Sequence, residues 1–86
     1  MIPILVFGTT PPCAKCKRAE REALKAADAF PGRVEVVKLD ALGPEAEPYG
    51  LMSTPTVVVN GEVVGRGKIL RAAELADIIA KHLEGR

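Results

Sequence analysis

The chain has 86 residues, enough for one compact domain and too few for two, and its 48% apolar and 27% charged residues allow a core without a disulfide framework. A net charge of +1 leaves no electrostatic footprint for nucleic acid or an anionic membrane, and two Phe, one Tyr and no Trp make no base-stacking platform. No stretch approaches the roughly 18 continuous apolar residues of a membrane span, so nucleic acid and membrane are not expected partners.

Residues 2–7, IPILVF, form a continuous apolar run that suits a strand buried on both faces. Pro3 lies near its start, where a missing N–H costs least. This N-terminus has neither a basic leading segment nor a small-residue cleavage site, so it reads as a strand and not as a signal peptide. The expected compartment is the cytoplasm. Gly8, Thr9, Thr10, Pro11 and Pro12 form a loop.

A helix is predicted over residues 13–29, because Cys16, Ala19, Ala23, Ala27 and Phe30 recur at helical spacing. Lys17, Arg18, Glu20, Arg21, Glu22 and Lys25 make its solvated face. The pairs Lys17/Arg21 and Arg21/Lys25 repel weakly, so alanine-rich propensity and not charge pairing supports the helix. Pro31 and Gly32 end it.

Residues 33–39, RVEVVKL, alternate loosely and favour β-branched types, giving a second strand. Residues 41–53 are irregular, with at most one short helix near residues 44–49, where Pro44 suits a first turn. Residues 56–60 form a third strand with a buried VVV run. Asn60-Gly61 signals a hairpin, and residues 62–65 are its antiparallel partner. A last helix covers residues 71–83, with Ala72, Leu75, Ala76, Ile79 and Leu83 inward and His82 solvated.

These elements specify an α/β domain spanning residues 1–86. A right-handed crossover makes the first two strands parallel. The third lies beside the first, giving a four-stranded mixed sheet of order 2-1-3-4 whose last strand is antiparallel. The two apolar runs are central, with helices covering both faces.

The chemistry is carried by Cys13-Ala14-Lys15-Cys16. At a helix start, positions i and i+3 share a side and come close enough to bridge. Free N–H groups and the positive helix end there stabilise a thiolate, and Lys15, Lys17 and Arg18 add positive charge. In this arrangement Cys13 attacks a partner disulfide and Cys16, more shielded, resolves the mixed disulfide. Taken alone, the spacing also fits two buried structural cysteines, or a metal or iron–sulfur site bridging two chains. His82 is the only other soft ligand.

Three segments in order, ILVF followed by CAKC, then YGLMSTPT at residues 49–56, then VVVNGEVVGRG at residues 57–67, resemble the thioredoxin-like superfamily. More narrowly, the chain resembles the small, glutaredoxin-sized thioredoxins and redox-active disulfide proteins of prokaryotes. The resemblance implies a minimal thioredoxin-like fold and a cis peptide bond before Pro55. It also implies that the backbone of Thr54 pairs with an extended substrate. Pro12 and Lys15, before and between the cysteines, complete the expected substrate-binding set.

The implied function is a protein disulfide oxidoreductase that needs no cofactor or metal beyond the Cys13–Cys16 couple. The expected molecule is a monomer taking electrons from a flavin-dependent thioredoxin reductase-type donor. A glutathione-dependent, glutaredoxin-like reductase is the alternative. The chain departs from the family pattern in four places. Pro12 stands where thioredoxins usually have Trp, Ala14-Lys15 replaces Gly-Pro, and the buried Asp falls at about Ile4. The Gly-Gly and acidic glutathione signature reads GRGK, with Arg66 and Lys68 in place of acids.

Overall fold

The computed structural model describes residues 1–9, 11, 13–50 and 53–85. The elements are β1 (Ile2–Gly8), α1 (Ala14–Asp28), β2 (Val34–Asp40), a 3-10 helix (Pro44–Tyr49), β3 (Thr56–Val59), β4 (Glu62–Arg66) and α2 (Ala72–Gly85). The sheet order is β2-β1-β3-β4. β1 and β2 are parallel, from Ile2 opposite Val34 to Gly8 opposite Asp40. β3 is antiparallel to β1 and β4 antiparallel to β3. The two continuous apolar runs are therefore the central strands, as a strand covered on both faces requires.

Alternation divides the side chains of β1 between two cores. Ile2, Ile4 and Val6 join Val57 and Val59 of β3 under Ala19, Ala23 and Ala26 of α1 and Leu75 and Ile79 of α2. Phe7 and Val58 face the other way and meet Ala46 of the 3-10 helix, with Leu5, Leu39, Tyr49 and Val63 around them. The Phe7 and Tyr49 rings lie 5.7 Å apart and tilted by 52°, an ordinary aromatic arrangement. Both α-helices thus cover one face, and only a single 3-10 helix covers the second. Pro44 fits the start of this short helix, and Pro48 inside it has no N–H to donate.

The inward stripe of α1 is Cys16, Ala19, Ala23 and Ala26. The stripe expected from sequence ended on Ala27 and Phe30, and both of these are only half-buried. Leu70, just before α2, is a buried residue that helical spacing did not reveal. It packs beneath Gly65, where an added Cβ would meet its Cδ1 at 3.2 Å. Among the described residues no helix is long and apolar enough to cross a membrane.

Candidate active site

β1 delivers the chain to Gly8 at the C-terminal end of the central strand, and Thr9 begins the turn into α1. Cys13 is the N-cap of α1, with extended backbone (φ −77°, ψ 172°). Its Sγ accepts a hydrogen bond from the Cys16 N–H at 3.2 Å, the place a hydroxyl or carboxylate oxygen takes in most caps. Its carbonyl accepts from the Lys17 N–H at 3.0 Å. The two Sγ atoms are 2.7 Å apart and unbonded. A disulfide holds its sulfurs at about 2.0 Å, so on oxidation only a small side-chain movement is needed to bring them to bonding distance. Cys13 is exposed and Cys16 is fully buried.

Two residues that the sequence placed in an undifferentiated loop shape this pair. The Thr9 hydroxyl accepts from the Cys13 N–H at 3.1 Å, donates to the Pro11 carbonyl at 3.0 Å, and lies 3.8 Å from Cys16 Sγ. It joins the loop to both cysteines. At Gly8 an added Cβ would stand 3.0 Å from both Cβ and Sγ of Cys16. The buried sulfur therefore rests directly on the strand backbone, and Gly8 is required for that close approach. The available signal was a glycine closing an apolar strand just before the cysteine motif.

Burial pushes the Cys16 thiol up, but hydrogen bonds with Cys13 and with the backbone and hydroxyl of Thr9 outweigh it and hold the group at about 7, below its usual 9.0. The sulfurs share one contact, so the first ionisation belongs to the pair.

The Thr54–Pro55 peptide bond is cis. Pro55 is fully buried and Thr54 half-buried. Thr56 pairs with Phe7, so Pro55, one residue before it, lies at the Gly8 end of β1. Two bonds fix this loop: the Thr56 hydroxyl donates to the Ser53 carbonyl at 2.6 Å, and the Gly67 N–H donates to the Pro55 carbonyl at 2.8 Å. The fold thus brings Cys13, Cys16, Thr54 and Pro55 to one end of the sheet. Lys15 stands exposed on the first turn of α1. Pro12, from the expected substrate-binding set, lies outside the described residues, as do Leu51 and Met52 of the YGLMSTPT segment.

His82 is not part of this site. The Asn60 N–H donates to the Pro3 carbonyl at 2.9 Å, which puts the β3–β4 hairpin at the opposite end of the sheet. There His82 Nε2 is 3.1 Å from Glu62 Oε1, and Nδ1 is 3.5 Å from Asn60 Nδ2. The expected solvated histidine is instead half-buried and ties α2 to the hairpin. Among the described residues no group of three or more His, Cys, Asp or Glu side chains is gathered for a metal ion.

Comparison with known proteins agrees with this geometry. The family model of the thioredoxin domain matches residues 2–80. A thioredoxin of Methanocaldococcus jannaschii is 36% identical over 77 residues, covering 87% of this chain and 89% of that protein. A thioredoxin of Haemophilus influenzae is 33% identical over 87 aligned positions, covering 95% of this chain and 81% of that protein. The crystal structure of chloroplastic thioredoxin z superposes with a TM-score of 0.80 at 26% identity, covering 99% of this chain and 80% of that one. Two cysteine sulfurs in contact, with these relatives, support thiol–disulfide oxidoreductase chemistry. With a family match that runs from the first strand into the last helix, the chain belongs to the thioredoxin family.

Proposed function

We propose that this protein reduces disulfides in partner proteins, with Cys13 as nucleophile and Cys16 as resolving thiol. One observation carries the assignment of roles. The sulfur a partner can reach is Cys13 Sγ, and the sulfur in contact with it is buried.

The Cys13 thiolate attacks one sulfur of the partner disulfide. A Cys13–partner bond forms, the partner S–S bond breaks, and the second partner sulfur leaves as a thiolate. Cys16 then attacks Cys13 Sγ, forming the Cys13–Cys16 disulfide and releasing the first partner sulfur. Two electrons and two protons pass to the partner, and the pair ends oxidised. In the second step it is the Cys16 thiolate, next to Cys13 Sγ, that attacks.

Thr54, before the cis bond to Pro55, offers its backbone to an extended partner chain. Lys15, exposed on the first turn of α1, and Pro12, the residue before Cys13 in sequence, complete the proposed substrate-binding set. Electrons return from a flavin-dependent reductase-type donor. Family membership supports this source over glutathione, because residues 65–68 read GRGK and lack the acidic signature. The protein acts as a monomer in the cytoplasm.

Cys13→Ser is expected to abolish reduction of insulin disulfides. Cys16→Ser is expected to accumulate a one-to-one mixed disulfide, visible as an added mass that reductant removes. Normal turnover by the Cys16→Ser protein, or stoichiometric zinc or iron in the purified wild type, overturns the reading.

A further inference from the structure

The net charge of +1 conceals a division of charge around the cysteine end. On one side stand Lys15 and Arg18, three apart on the first turns of α1, and Lys68 and Arg71 on the connection to α2. All are exposed. Arg18 and Arg71 line one cleft with Glu22 and Ile69. Lys68 follows Gly67, whose N–H holds the Pro55 carbonyl. Among the described residues none of these four bases is in a salt bridge.

The two acids nearby are occupied by backbone. Glu22 Oε1 accepts from the Ala72 N–H at 2.8 Å while Oε2 meets Lys25 at 3.6 Å. Glu74 Oε1 accepts from the Arg71 N–H at 3.0 Å. On the other side of the site, residues 39–65 contain no Lys or Arg. Asp40, Glu45 and Glu47 are exposed there. The Ala41 N–H donates to the Gly8 carbonyl at 2.9 Å, which places this acidic segment against the site. Lys38 and Arg66 border the segment; Lys38 pairs with Glu20 at 3.7 Å and Arg66 reaches the Tyr49 carbonyl at 3.3 Å.

We propose that Lys15, Arg18, Lys68 and Arg71 form a docking rim for an acidic segment adjoining the target disulfide of a partner protein. The acids at residues 40–47 repel the same segment from the opposite side and so fix the direction in which the partner lies across the cysteines. This proposal rests on the disulfide-reducing function above. Complementary charge of this kind steers encounter and selects partners more than it adds raw affinity. The selection weakens with salt, since the screening length is about 8 Å at physiological ionic strength.

The test uses three synthetic peptides with the same intrachain disulfide, flanked by Glu, by Gln or by Lys. The wild type is expected to reduce the Glu-flanked peptide with a kcat/KM roughly 3- to 10-fold above the Gln-flanked one, an advantage that disappears at high salt. In a Lys68→Glu/Arg71→Glu double variant the advantage is lost while the Gln-flanked rate is unchanged. The milder Lys68→Gln/Arg71→Gln pair gives an intermediate advantage and guards against a folding effect of charge reversal. Equal rates on all three peptides in the wild type overturn this proposal alone. So does an equal loss on all three in the variants. Failure of the wild type to reduce any of them overturns the disulfide-reducing function, and the rim with it.

Discussion

At the Gly8 end of the sheet a buried sulfur lies directly on strand backbone; at the Asn60–Gly61 end a histidine and a carboxylate meet near the surface. Both ends bring a titratable group from a helix onto a strand or its loop. They differ in what surrounds the group. Cys16 is fully buried, shares a 2.7 Å contact with Cys13, and shifts to about 7. Glu62, the partner of His82, has 65% of its side chain exposed. The comparison separates tight packing around a reactive atom, which sets its chemistry, from a surface pairing that only joins two elements. Each end also holds a glycine needed for a different reason, and that gives the sharpest way to probe the contrast.

Gly8→Ala has the largest expected effect. Its Cβ would meet Cys16 Cβ and Sγ at 3.0 Å, and overpacking of a well-filled site costs roughly 1–3 kcal/mol. In a small domain each kcal/mol lowers the melting temperature by about 4–8 °C. Because Cys16 must shift away from Cys13, the rate at which the pair forms its disulfide falls as well. Gly61→Ala is the control. Gly61 has φ +86° and open space around an added Cβ, so its cost of about 1–2 kcal/mol is conformational and leaves thiol exchange unchanged. Melting curves and disulfide-formation rates of the two variants test this. Equal behaviour would mean that Gly8 is only another turn glycine.

The Cys16 thiol is held at about 7 in the reduced fold against a usual 9.0. Between these values the unfolded chain binds more protons than the folded one, so stability rises with pH. The contribution is fully present above about 9 and is lost as pH falls through about 7. The melting temperature of the reduced protein should therefore gain on that of a Cys16→Ala variant as pH is raised across this window. Parallel curves for the two proteins would show that the Cys13 and Thr9 hydrogen bonds do not hold the thiol low.

Much of the scaffold of this contrast was legible in the sequence because it follows from local chemistry. The IPILVF and VVV runs read as central strands, Asn60-Gly61 as a hairpin, and Pro44 as a helix start. Cys13 and Cys16 were legible as a bridging pair because helical spacing alone brings positions i and i+3 together. What escaped depends on contacts distant in sequence. The load of Cys16 Sγ on Gly8, and the Thr9 hydroxyl bridging to both cysteines, exist only once β1 and α1 pack. The grip of Glu22 on the Ala72 N–H spans 50 residues, and it helps to set α2 beside α1 on one face of the sheet. Leu70 was missed because it lies outside the helical period and fills the space left by Gly65. The short helix expected near residues 44–49 is the 3-10 helix that covers the second face, with Pro48 inside it.

The smallest expected effect falls at the hairpin end. His82→Ala removes a 3.1 Å pairing with Glu62 and a 3.5 Å contact with Asn60. Surface ion pairs contribute about 0–1 kcal/mol, and this one requires a protonated histidine besides. The melting temperature should fall by a few degrees at most. Disulfide reduction should not change, because the sheet's length separates Asn60–Gly61 from Gly8. Screening sets the limit on any influence: at physiological salt a charge at an exposed site fades over about 8 Å. A rate of insulin reduction altered by His82→Ala at equal stability would therefore require coupling through the packing of α2 on α1, and the two ends would then have to be treated as one device.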